Sequence, residues 1–80
     1  MQRADRHVYQ TTIGSIKVVV VRRETYGITQ HMIRLFCSFD QGKTFSGTST
    51  ILYTHTTDAI EALARASRWI RKEEIRIFAS

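Results

Sequence analysis

His7, His31, His55 and the single Cys37 are the side chains in this sequence best suited to metal binding or nucleophilic chemistry. Their spacing serves neither. No C-x-x-C or H-x-x-x-H pattern brings two ligands onto one turn or one strand face. His31 and Cys37 fall on the same side of one extended run, but six residues of strand separate them by about 20 Å. Cys37 therefore reads as a small buried hydrophobe, and His55 as a loop residue. The carboxylates are equally unpromising. Asp58, Glu73 and Glu74 fall at the ends of a helical pattern, and no pair stands where burial would tune it for acid–base work. The glycines are isolated turn residues, with no phosphate-cradling run. The reading is a chain with no catalytic, metal or cofactor site.

The remaining candidates are cations. Lys and Arg number 12 against 7 Asp and Glu, a net charge of +5 with a pI near 10.0. Arginine dominates, and its planar fork suits phosphate or carboxylate. The balance favours an anionic partner, nucleic acid first. A lone cysteine fits a reducing compartment. The polar start of the chain has no apolar signal segment, and the longest aliphatic run, Val18–Val21, is far too short for a membrane span. A cytoplasmic protein with no membrane partner is expected.

Eighty residues support one core, with marginal stability unless the chain self-associates or binds a partner. Residues 1–6 read as a flexible basic arm and residues 7–80 as a single α+β domain. Ile13-Gly14-Ser15-Ile16 predicts a two-residue type II′ hairpin turn. The implied register sets Ile13 against Ile16, Thr11 against Val18 and Tyr9 against Val20 on one face. Gln10 with Val19, and Val8 with Val21, fall on the other. Tyr26-Gly27 marks a second reversal, and Thr29 to Phe39 alternates as a third strand. Asp40-Gln41-Gly42 predicts a three-residue loop returning Lys43 to about Ser49 as a fourth strand, with Cys37 opposite Phe45 and Thr44, Ser46 and Thr48 on the Phe36 side.

Asp58-x-x-Glu61 resembles a capping box opening an amphipathic helix. Its expected buried stripe is Ile60, Leu63, Ser67 and Ile70, flanked by Ala59 and Ala66. Trp69 would seal the helix edge. Asp58 and Glu61 at the start and Arg65, Arg68, Arg71 and Lys72 further on complement the helix dipole, so the basic helix face reads as a solvated one. Ile75 to Phe78 alternates like a short last strand. The fold class is thus an antiparallel sheet of four or five strands with one C-terminal amphipathic helix on one face, in the order β-β-β-β-α-β.

In element order this layout resembles single-stranded-DNA-binding transcriptional coactivators and the arm-binding domains of phage-type integrases. It is also similar to small phage inhibitors that occupy a host protein. The resemblance implies a nucleic-acid or protein partner.

The side of the sheet away from the helix is where function is expected. A merely solvated face should be polar. The register instead mixes Val8, Val19, Val21, Met32 and Phe36 with Lys17, Arg23 and Arg34. A patch of that kind is covered either by a partner or by the chain itself, through its N-terminal arm or Tyr53. The leading expectation is a non-enzymatic nucleic-acid-binding module, dimeric, using Lys17, Arg23, Arg34, Phe36 and Lys43, with Arg3 and Arg6 assisting. The same face serves a protein-interaction module, such as a small regulator or inhibitor, with Val19, Val21 and Met32 as its interface. A structural homodimer subunit is the third reading.

Overall fold

Short polar punctuation between β-branched runs builds the sheet. The computed structural model describes residues 3–79. Strands β1 (Arg3–Ile13), β2 (Ile16–Thr25), β3 (Ile28–Cys37) and β4 (Ser46–Thr54) form one antiparallel sheet in chain order. Helix α1 (Ala59–Phe78) packs across β2, β3 and β4.

The first turn follows the predicted chemistry. Gly14 has φ of +61° while Ser15 is not left-handed, as a type II′ turn requires. Ile13–Ile16, Thr11–Val18 and Tyr9–Val20 are opposed as expected. Beyond them the register shifts between His7 and Tyr9, so His7 rather than Val8 faces Val21. Val8 is the extra residue of a bulge and packs against the core under the helix. Upstream of that bulge, Arg3–Arg6, expected in a flexible arm, is paired with Arg22–Thr25.

The third and fourth strands depart further. The Asp40 carboxylate accepts the amide and hydroxyl of Thr44 at 2.9 and 2.6 Å and the hydroxyl of Ser38 at 2.7 Å. These bonds hold Ser38 to Phe45 as a longer loop, so β4 begins at Ser46 instead of Lys43. Cys37 faces Ser46, not Phe45, and a second register shift sets Phe36 opposite Gly47. Thr48 is the extra residue there, its hydroxyl donating to the carbonyl of Leu35. The expected Thr44, Ser46 and Thr48 rim is replaced on the Phe36 side by Gly47, Thr50 and Leu52.

Asp58 caps the helix: its Oδ1 accepts the Glu61 amide at 2.8 Å. Glu61 reaches back to the amide and hydroxyl of Thr57 at 2.6 and 2.7 Å, closing the first turn reciprocally. The buried stripe is rotated from the expected one. Ala62 and Ala66 are fully buried, with Ala59, Leu63, Trp69, Ile70 and Ile77 beside them, whereas Ile60 is 76% exposed and Ser67 is exposed. Bulk in the core comes from the sheet, through Val20, Ile33 and Leu35. Alanines on the helix then let it approach closely.

The predicted final strand is absent. The helix runs through Ile75–Phe78, because neither glycine nor proline interrupts it and Ile70 and Ile77 recur two turns apart on the packed side. The architecture is α+β with the layout β-β-β-β-α. No described helix is long and apolar enough to cross a membrane.

Candidate functional site

Three cross-strand rows place the candidate residues on the face opposite the helix. Thr12, Lys17, Phe36 and Gly47 form the first; Gln10, Val19, Arg34 and Thr50 the second; His7, Val21, Met32 and Leu52 the third. A side-chain period of two commits all of these to one side of the sheet. The expected patch is less apolar than its sequence implied. Val8 lies on the other face, and Val19 and Val21 are each only 5% exposed although the helix does not cover them. Each sits between longer cross-strand neighbours, Gln10 and Arg34 for Val19 and His7 and Met32 for Val21. Small side chains on the central strands lose their accessible surface to such neighbours. Val19 and Val21 thus present little surface, and Met32 is half-buried.

What stands above them is cationic and aromatic. Lys17 Nζ lies 5.0 Å from the centroid of the Phe36 ring and 5.2 Å from that of Phe45. The Arg34 guanidinium carbon lies 5.6 Å from the Phe36 centroid. All three distances fall in the range of cation–π attraction. Among the described residues, neither Lys17 nor Arg34 has a carboxylate partner. A Cβ at Gly47, opposite Phe36, would meet the ring edge at 3.5 Å, an ordinary van der Waals contact. A shallow cleft of about 290 Å³ lies alongside, lined by Arg34, Phe36, Gly47, Thr48 and Thr50 among others.

The other predicted cations do not join this cluster. Arg23 shares the face but is held by Asp5, Nε to Oδ1 at 3.0 Å and Nη2 to Oδ2 at 3.2 Å, which raises the guanidinium pKa further. Arg6 is opposite Arg22, on the helix side of the sheet. Lys43 is in the exposed loop before β4, and the side chain of Arg3 lies outside the described residues. Sequence reasoning missed Phe45. Its assignment to the helix side followed from an assumed three-residue loop. The Ser38, Asp40 and Thr44 hydrogen-bonding set was the signal for a longer loop.

Among the described residues, the helix side holds no second cluster of this kind. Cys37 is buried in the core. His31, 1% exposed, pairs its Nδ1 with the Thr56 hydroxyl, and burial followed by the charge of Arg22 lowers its pKa. No group of three or more metal-ligating side chains occurs among the described residues. Compared with known proteins, the chain matches no family model, no curated protein and no solved structure.

Proposed function

We propose that this protein is a small non-enzymatic module that binds nucleic acid on the sheet face opposite the helix. Lys17 and Arg34 supply contacts to phosphate, and Phe36 and Phe45 supply surfaces for unstacked bases. The observation that carries this reading is the pair of uncompensated cations held over aromatic rings on an uncovered sheet face. Cations without carboxylate partners have no ion pair to break when a phosphate arrives, and aromatic faces accept any base. Arg23, already neutralised by Asp5, contributes less. Cys37, buried and free, is compatible with a reducing cytoplasm.

A protein partner is the second reading. It is favoured by Leu52, large and exposed beside Met32 and one row from Arg34. Such a partner would be acidic, with Arg34 as the anchor. A second copy docked face to face is disfavoured, because it brings like charges from Lys17 and Arg34 together.

Fluorescence anisotropy with labelled single-stranded and duplex oligonucleotides tests the proposal. Binding that weakens linearly with salt on logarithmic axes is expected. No binding to either form at low salt would reject it and leave the acidic-protein reading.

A further inference from the structure

Both edge strands have an uncharged stretch, in β4 from Ser46 to Thr54 and in β1 from Val8 to Ile13. Over the middle of β4 the helix hangs charged side chains. Glu73 accepts the Ser49 hydroxyl at 2.6 Å, and Arg76 reaches the same oxygen at 3.3 Å. Charge and cover of this kind protect the stretch of β4 around Ser49 from pairing with another chain, and Leu52 beyond it is 43% exposed. Edge strand β1 is divided by its bulge at Val8. The half before it carries Asp5, Arg6 and His7; the half after it, Tyr9 to Ile13, is uncharged.

That uncharged half also carries apolar side chains without cover. Tyr9 is 45% and Ile13 is 73% exposed, both on the helix side of the sheet. Ile13 borders a cleft of about 340 Å³ whose other walls include Ile16 and Phe78.

We infer that the occupant is a second copy of this chain, joined antiparallel along β1 with Thr11 on the two-fold axis. Backbone polarity fixes the choice to a few registers. Ile13 and Ile16 flank a two-residue turn, so they form a hydrogen-bonded pair, as do Thr11–Val18 and Tyr9–Val20. The amides and carbonyls of Gln10 and Thr12 therefore point away from β2. Centred on Thr11, Gln10 of each copy meets Thr12 of the other, and these outward groups bond each other. The same register sets Tyr9 of each copy beside Ile13 of the other, at the mouth of the cleft. No like charges are brought together in the paired segment. The two basic faces become coplanar parts of one eight-stranded sheet. The inference does not rest on the nucleic-acid reading.

Sedimentation equilibrium of the full chain tests it, with a dimer expected at micromolar concentration. Thr12→Pro removes an outward N–H without touching the β1–β2 ladder, where an edge proline is tolerated. It removes one cross-copy bond on each side of the axis and should weaken the dimer on the order of tenfold or more. Ile13→Lys, at an exposed position of the single copy, should do the same if Thr12→Pro fails to fold. Thr11→Cys should form an intermolecular disulfide on oxidation that Cys37, being buried, does not. A wild-type monomer, or a dimer indifferent to both substitutions, overturns the inference. A monomer that still binds oligonucleotide does so while leaving the proposed function standing.

Discussion

Lys17 Nζ stands 5.0 Å from the ring centroid of Phe36, its direct cross-strand partner on β3, and also 5.2 Å from Phe45. One ammonium thus ties the central strands to the loop that precedes β4. In a double-mutant cycle between Lys17→Met and Phe45→Leu, a coupling of about 0.5–1 kcal/mol is expected, the range for exposed cation–π pairs. Urea unfolding of the four proteins measures it. Additive effects would show that the loop ring is not held by the lysine.

The close seating of the helix depends on Ala62 and Ala66, both without accessible surface. Ala66→Leu forces the helix away from Ile33 and Leu35 and should destabilise the protein by about 1–3 kcal/mol. Ile60→Ala, at an exposed site, should fall within about 0.5 kcal/mol of wild type. Denaturant midpoints would separate the two, and the reverse ranking would restore the stripe expected from sequence.

Buried His31 makes stability depend on pH. Its folded pKa lies below the ordinary value of 6.5 because burial, then Arg22, penalises the imidazolium. As pH falls below about 6.5 the unfolded chain takes up a proton that the folded chain refuses, so stability declines. Above that value the group contributes no pH dependence. His31→Gln should flatten the decline between pH 7 and 5.5 in urea titrations. An unchanged slope would mean the imidazole titrates freely.

Asp40 behaves in the opposite chemical sense with the same sign. The hydroxyls of Thr44 and Ser38 and the Thr44 amide hold its pKa down from 3.8 to about 2. Its contribution to the loop is complete above the unfolded value and is lost as pH falls through the folded one. Carboxyl NMR should find the Asp40 midpoint near the lowered value, and in Thr44→Val the midpoint should rise. A midpoint in the ordinary range would show that the loop is not organised by this carboxylate.

Local chemistry was readable; long-range adjustments were not. Gly14-Ser15 fixed the first hairpin because turn type and residue type are coupled one to one there. Asp58 and Glu61 announced the helix start for the same reason. Alternation cannot reveal a bulge, and each bulge moves every side chain beyond it to the other face. Val8 was misplaced by one bulge; Ser46 was misplaced by the longer loop, which sets it against Cys37, and Thr48 by the second bulge. The Ile75–Phe78 run fits a strand and a helix equally on a four-residue window; continuity from Ile70 decided it. Lys17, Arg34 and Phe36 were found because they lie between the bulges, where register holds. Phe45 was lost because its position depends on loop length.

The uncovered cations and rings on the open sheet face are the surface proposed to contact a nucleic-acid strand. Salt-dependent anisotropy with a single-stranded oligonucleotide, comparing wild type with Lys17→Ala and Phe36→Ala, tests it most directly. Lys17→Ala should lower the logarithmic salt slope by about 0.7, one phosphate on a single strand. Phe36→Ala should leave the slope unchanged and cost about 1–3 kcal/mol of affinity. Affinity and slope that are identical in all three proteins would show that this face does not bind the strand.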